Sequence, residues 1–316
     1  MLRGRNAGID SSVMEANASL RGLVNRNTGE AYWDYVKRMA AQSGIDPEDS
    51  TAVRKFDRKR PKKMSNQEWE NPDDTDAKIG PKKDGATDMI YKPQTVVDLD
   101  TGAIVGAGVL PGNQADNQEV AAAILEAQQN INAACGQDRK EMTVETTTAD
   151  KGYYAVGQLQ ELQQEQIKTV ICDPVSNRRM DKLEPDEQRA VKAAGRSTRS
   201  KYGKELLSKR GQHIERAFAH ILDCGGMRRA TLRGLQNLQK RFKLAAAFYN
   251  LSQLMRKLCG AGTPKQWAAM GRGAVGAFLN GLVMGLWTLM AELLKTKESE
   301  EQNHPTWLSC SLKVAA

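Results

Sequence analysis

The stretch that most constrains this chain runs from Arg210 to Phe242 and joins a helical apolar pattern to a dense basic run. Leu207, Ile214, Phe218 and Ile221 recur at helical spacing, and Glu215 stands at the edge of that stripe. Between residues 195 and 243, thirteen Lys and Arg stand against three Asp and Glu, a surplus larger than the +8 of the whole chain. A surface this basic suits a polyanion, and a carboxylate within it suits a metal ion.

Composition narrows the class of protein further. The 316 residues have a pI near 9.2, which favours nucleic acid or an anionic membrane surface as partner. Five cysteines without CxxC spacing argue against a disulfide framework and a structural zinc site. The first residues lack the apolar core of a signal peptide, so a cytoplasmic protein is expected. The apolar run 273–294 is long enough to raise the question of a membrane span, but four glycines within it favour a buried or partner-facing helix, and no membrane is expected.

The order of predicted elements defines the fold class. Residues 5–13 predict a short strand that ends near Asp10, and Thr28 is expected to cap a helix over 28–41. The polar stretch 61–88 predicts a loop or insertion. Two β-branched runs over 95–110 form a hairpin, after which Asp116 and Asn117 would cap a helix. Strands are predicted at 142–149 and 167–172, and helices at 156–162, 185–194, 207–221 and 235–258. This sequence of elements predicts an α/β layer fold with an antiparallel portion followed by a parallel portion.

Three acids stand where such a fold could bring them together. Asp10 and Asp150 each follow a predicted strand, and Glu215 lies on a late helix. If the two strands are neighbours, both aspartates meet at one edge of the sheet. Oxygen ligands without His or Cys select Mg²⁺, with Mn²⁺ as a substitute, and two such ions about 4 Å apart can cleave a phosphodiester. Acids at strand ends are also commonly helix caps, so a structural role for each stays open.

Basic residues around these acids are candidates for contacts with DNA phosphates, which fix register without reading sequence. They are Lys151, Lys209, Arg210, Arg216, Arg228, Arg229, Arg233, Lys240 and Arg241.

The runs GIDSSVMEANASLR, TADKGYY and HIERAFAHILDCGGMRRATLRGLQNLQKRF resemble the catalytic domain of bacterial insertion-sequence transposases of the DDE class. The resemblance covers roughly residues 5 to 264. It implies a ribonuclease H-like fold over 1–260 with an insertion at about 25–88, followed by a C-terminal apolar helix and polar tail over 261–316. By position in the motifs, Asp10, Asp150 and Glu215 match the three catalytic acids. The family implies transposon-end and target DNA as substrates, Mg²⁺ as cofactor, hydrolysis followed by strand transfer, and a homodimer in the synaptic complex. The N-terminal DNA-binding domain of such enzymes is expected to be absent, and a truncated, inactive copy is a variant of the same hypothesis.

Other readings of single motifs are weaker. Asp100-Thr101-Gly102 matches the aspartic-protease tripeptide, and its spacing from Asp98 faintly resembles a calcium loop, but a hairpin turn accounts for both. His213, His220 and Cys224 could be zinc ligands, although a fourth ligand is not evident. The remaining alternative is a DNA-binding protein without catalysis, in which the acids are structural.

Overall fold

The computed structural model describes residues 2–60, 65–82, 84–135, 142–175, 178–263 and 265–266. The strands are β1 Asn6–Ser11, β2 Met14–Glu15, β3 Val24–Asn25, β4 Trp69–Glu70, β5 Lys78–Pro81, β6 Thr87–Asp98, β7 Ile104–Pro111, β8 Thr146–Thr148 and β9 Lys168–Val170. The helices are α1 Tyr32–Gln42, α2 Ser50–Lys59, α3 Val120–Cys135, α4 Val156–Gln164, α5 Pro185–Arg199, α6 Lys201–Phe218 and α7 Leu235–Cys259. A π-helical turn, Ala219–Cys224, continues α6 and ends at Gly225.

Residues 1–250 form one compact unit and residues 251–316 a second. The first unit contains a mixed sheet, which in the described residues has seven strands. β1 is the pivot of this sheet: it pairs antiparallel with β6 on one side and parallel with β8 on the other, and β8 pairs parallel with β9. β6 also pairs antiparallel with β7, β2 and β5. The predicted combination of an antiparallel hairpin portion with parallel strands is confirmed, and the arrangement is compatible with a ribonuclease H-like fold.

Apolar residues cover both faces of the sheet. Successive residues of β6 alternate between the faces, as the pleat requires: Val96 packs in one core and Val97 in the other. The core that contains Val96 is closed by buried residues of α3, α4 and α5, and the core that contains Val97 by residues of α1, α6 and α7. A sheet buried on both faces by helices is the layered α/β arrangement that the element order predicts.

The predicted hairpin is confirmed. β6 and β7 pair from Tyr91 to Val97, and the intervening turn is closed by a hydrogen bond of 2.7 Å from the Gly102 N–H to the Asp98 carbonyl. Gly102 has a φ of 77°, in the left-handed region that glycine adopts without strain. Asp98 is buried and accepts hydrogen bonds from the Thr101 hydroxyl and the Arg3 N–H, so the tripeptide beside it acts as a turn.

Three local predictions are wrong. The stretch 61–88 is not a plain loop, because it contains β4, β5 and the beginning of β6; residues 61–64 and 83 lie outside the described residues. Thr28 does not cap the first helix, which begins at Tyr32 after Ala31. Asp116 does not cap α3, since its carboxylate bonds to side chains of β1 and β6 instead.

Candidate metal and DNA site

The structure brings Asp10 and Asp150 to the same edge of the sheet. Gly8 of β1 pairs in parallel register with Thr148 of β8, and each aspartate lies two residues beyond its member of that pair. Adjacent strands run about 4.8 Å apart, so the two carboxylates occupy equivalent positions on neighbouring strands. Burial is the main cause that raises the pKa of Asp10, and the nearby Asp150 carboxylate adds to it.

Asp10 is held on both oxygens. Its Oδ1 accepts the Ser11 N–H at 2.8 Å, and its Oδ2 accepts Arg210 Nη1 at 2.8 Å. Burial raises the pKa of Asp10 and outweighs the Arg210 guanidinium, which lowers it. Gly8 makes this pair possible: a Cβ there would lie 2.6 Å from Leu99 Cδ2 and 3.2 Å from Arg210 Cγ. The absence of a side chain at residue 8 therefore lets the stem of Arg210 cross β1.

Asp150 stands at the start of a single helical turn, Lys151–Tyr153. Its Oδ1 accepts the Lys151 N–H at 2.7 Å, and its side chain is exposed. Asp150 therefore does act as a local cap, but the turn that it caps is only three residues long.

A third carboxylate near this edge was missed by the sequence analysis. Asp116 accepts the Ser11 hydroxyl at 2.8 Å and pairs with Lys92 Nζ at 3.3 Å. The buried Tyr153 hydroxyl lies beside Ser11 and close enough to Asp10 and Asp116 for both charges to raise its pKa, although burial is the main cause. In the sequence, Asp116 stands shortly after the hairpin, a position at which a helix cap and a site residue cannot be distinguished.

Glu215 is exposed on α6, five residues after Arg210. Within the described ranges, three His, Cys, Asp or Glu side chains are nowhere grouped so that they could hold a metal ion. His213, His220 and Cys224 are likewise not grouped for metal binding in the described ranges, so the structure does not support a zinc site at these residues. His220 instead packs edge-on against Tyr249, with ring centroids 5.6 Å apart, and burial lowers the pKa of His213.

The predicted DNA-binding cations divide into two groups. Lys151, Arg216, Arg229 and Lys240 are exposed. The others already contact protein groups: Lys209 pairs with Glu205, Arg210 with Asp10, Arg228 with Asp223, Arg233 with Asp73, and Arg241 with the Thr231 hydroxyl. Arg210 differs most from the expectation, because its side chain is only 15% exposed and serves as the counter-ion of Asp10.

Asp10 and Asp150 offer two carboxylates that a divalent cation could share, whereas no third acid is grouped with them in the described ranges. Two carboxylates repel each other at neighbouring strand ends, and the more buried one is only partly compensated by Arg210. The donors are hard oxygens, which suit Mg²⁺ and Mn²⁺. A bound cation would relieve the repulsion that the metal-free arrangement retains.

The raised pKa of Asp10 leads to a prediction about metal binding and pH. A proton competes with the cation for the Asp10 carboxylate. As the pH falls, cation binding should therefore begin to weaken at a higher pH than it would at an aspartate with the ordinary pKa of 3.8. At neutral pH, Mg²⁺ at one hundred times its Kd should stabilise the protein by about 2.7 kcal/mol. Thermal unfolding with and without Mg²⁺ from pH 7.5 to pH 4.5, at constant ionic strength, measures this. The Mg²⁺-dependent shift should shrink as the pH falls and vanish in Asp10→Asn; a shift that persists in that variant places the ion elsewhere.

The sheet order, with acids at adjoining strand ends and helices on both faces, defines an α/β protein of the ribonuclease H-like type. Residues 49–251 match the family model described as "Transposase DDE domain", and the chain therefore belongs to this family of transposases. The matched residues include Asp150 and Glu215, whereas Asp10 precedes them. A divalent metal ion and a DNA substrate are general to transposases of this kind.

No curated protein matches the chain. Among the described residues, no helix combines the length and apolar character needed to cross a membrane, and the segment 273–294 lies outside them.

Proposed function

We propose that this protein is a DNA transposase that cleaves phosphodiesters at transposon ends and joins them to target DNA, with Asp10, Asp150 and Glu215 as its catalytic acids. The main support for the proposal is that Asp10 and Asp150 follow neighbouring parallel strands at the same edge of the sheet, in a chain of the DDE transposase family. We also propose a homodimer that holds two transposon ends, and a cytoplasmic location.

Asp10 and Asp150 would hold Mg²⁺, or Mn²⁺ in its place. The bound ion supplies activation of a water or 3′-hydroxyl and stabilises the leaving oxygen. Ser11 and Arg210 fix the orientation of the Asp10 carboxylate through the two bonds it accepts. Lys151, exposed directly after Asp150, is placed to contact a DNA phosphate.

Glu215 is exposed on α6, and among the described residues no hydrogen bond or ion pair joins it to Asp10 or Asp150. We propose that it joins the other two when metal and DNA are bound. Arg210, which bonds to Asp10, lies five residues before Glu215 on α6, about 7.5 Å along the helix axis.

The test is nicking of DNA that carries the element's own ends. The wild-type chain should nick in Mg²⁺ and not in EDTA. Glu215→Gln should lower the rate by at least about a hundredfold, as expected for loss of a group that acts on the reacting phosphate. Glu205→Gln is the matched control, because Glu205 is also exposed on α6 but pairs with Lys209. If Glu215→Gln nicks DNA at the same rate as Glu205→Gln, Glu215 is not a catalytic residue. Nicking by the wild-type chain in EDTA would contradict the metal mechanism.

A non-catalytic DNA-binding protein is the second candidate, and the exposure of Glu215 favours it. It predicts DNA binding that is unchanged in EDTA and in Asp150→Asn, with no nicking under any condition. Asp34→Asn, exposed on α1, controls for the loss of one charge.

A further inference from the structure

A groove of about 440 Å³ opens at the carboxyl end of β9, beside the acid pair. Thr148 of β8 pairs with Val170 of β9, so Cys172, which lines the groove, corresponds in register to Asp150. With strands about 4.8 Å apart, the groove begins roughly 5 to 10 Å from Asp150. A single strand of DNA rises about 3.4 Å per nucleotide, so this distance corresponds to roughly two or three nucleotides.

The floor of the groove is aromatic and apolar. Tyr154, four residues after Asp150, is buried, and the Arg178 guanidinium lies 5.0 Å from the centroid of its ring. Arg178 also makes two bonds, of 2.7 and 2.8 Å, to the Asp173 carboxylate. This ion pair fixes Arg178 against the ring and neutralises it. Tyr154 and Ile171 are 7% and 1% exposed, so they support the groove from below and offer almost no surface to a ligand, whereas Val175 in the lining is 48% exposed.

The rim carries positive charge that the protein leaves available. Lys192 and Arg199 both line the groove and lie seven residues apart on α5, which is two helical turns, so they share a face. Both side chains are exposed. Neither forms an ion pair with the acidic residues in the described part of the chain. Two exposed cations on one face of a helix suit a ligand with an anionic group such as a phosphate.

We infer that this groove binds a nucleotide unit of the DNA strand that reaches the acid pair, with its phosphate at Lys192 and Arg199. The inference rests on the proposed function for the identity of the strand. It adds Lys192 and Arg199 of α5 to the DNA contacts that the sequence predicts.

Cys172 offers a direct probe, because it is a free, exposed thiol in the lining of the groove. The full chain is alkylated with a maleimide in EDTA, with and without a single-stranded oligonucleotide, and modification of Cys172 is measured by mass spectrometry. The oligonucleotide should slow alkylation of Cys172 at least about tenfold at saturation. A mononucleotide at the same nucleotide concentration should protect much less, since it lacks the neighbouring phosphates. Equal protection by the mononucleotide would overturn the assignment of a DNA strand, and no protection would overturn the groove as a binding site.

The double variant Lys192→Gln/Arg199→Gln should lose this protection. In a plot of the logarithm of its DNA affinity against the logarithm of the salt concentration, the slope should become shallower by about 0.7 for each phosphate contact removed. The matched control is Arg5→Gln/Lys168→Gln, which also removes one Arg and one Lys, but at the amino ends of β1 and β9, the opposite edge of the sheet. If both double variants lose affinity and salt dependence equally, the effect is one of net charge and the groove is not the site.

These measurements separate the two hypotheses. The alkylation and affinity assays need neither metal nor catalysis, so they can succeed for a protein that cleaves nothing. Conversely, Mg²⁺-dependent nicking that is lost in Glu215→Gln but unchanged in Lys192→Gln/Arg199→Gln would keep the transposase proposal and overturn the groove.

Discussion

Replacing Asp10 with asparagine is expected to reduce Mg²⁺-dependent nicking by more than about a hundredfold, while the protein stays folded. Changes to groups that only support metal ligands cost about ten- to a hundredfold, and Asp10 is proposed to hold the ion itself. Asparagine has nearly the same shape and keeps one oxygen, which can still accept the Ser11 N–H. It removes the charge that burial and Asp150 both disfavour, so the fold loses little apart from the ion pair with Arg210. Nicking rates and thermal unfolding of the same preparations measure both effects.

Asp98→Asn provides the matched control on the neighbouring strand. Asp98 lies opposite Ala7 in the antiparallel pair of β1 and β6, and its side chain is 1% exposed. It accepts bonds from the Thr101 hydroxyl in the hairpin turn and from the Arg3 N–H before β1, neither of which bonds to Asp10. Loss of these bonds should cost about 1–3 kcal/mol of stability with little change in the rate per folded molecule. If folded Asp98→Asn protein no longer nicks DNA while folded Asp10→Asn protein still does, the placement of the site at the end of β1 is wrong.

Phe242→Ala is expected to cause the largest loss of stability, about 3–5 kcal/mol. The Phe242 side chain is 0% exposed and belongs to the core formed by α1, α6, α7 and one face of the sheet. Truncation removes its apolar burial and leaves a cavity that the surrounding structure closes only in part. Denaturant unfolding, with unchanged m-values as the check on the two-state assumption, gives the free energy directly.

Phe248 is an internal control for that experiment. It lies on the same helix, six residues later, and its side chain is 61% exposed. Phe248→Ala should change the free energy of unfolding by no more than about 0.5 kcal/mol. Equal losses for the two variants would mean that Phe248 is covered in solution, and a negligible loss for Phe242→Ala would contradict the packing of α7 on the first unit's core.

Local patterns predicted much of this fold. Apolar periodicity and turn residues such as Gly102 predict the hairpin over 95–110 and the helices α4, α5 and α7. These signals depend only on residues that are close together in the sequence. The short strands of 61–88 were missed because their stability depends on distant partners. β5 pairs with β6, and the Asn66 amide bonds to both the N–H and the carbonyl of Ile79, which no periodicity reveals.

The sequence also left contacts between distant residues of the candidate site unidentified. Asp10 and Asp150 could be placed because both follow strands, and parallel neighbours end at one edge. Arg210 was expected to contact phosphate, but it bonds to Asp10, 200 residues earlier in the chain. Asp116 was taken for a cap, but it bonds to Ser11, 105 residues earlier. Such pairings depend on the completed topology, since charge and spacing alone do not identify which of several possible partners a side chain meets.

The parallel register of β1 and β8 makes the position of the two aspartates independent of what separates them in the gene. Three paired residues, from Asn6 opposite Thr146 to Gly8 opposite Thr148, set the offset between Asp10 and Asp150. The cost of closing the intervening chain grows only with the logarithm of its length, by about 0.6 kcal/mol for each doubling. Segments inserted between the two strands can therefore lengthen, shorten or acquire new contacts without moving either carboxylate. The segment between the two aspartates can thus diversify while the acid pair stays in place.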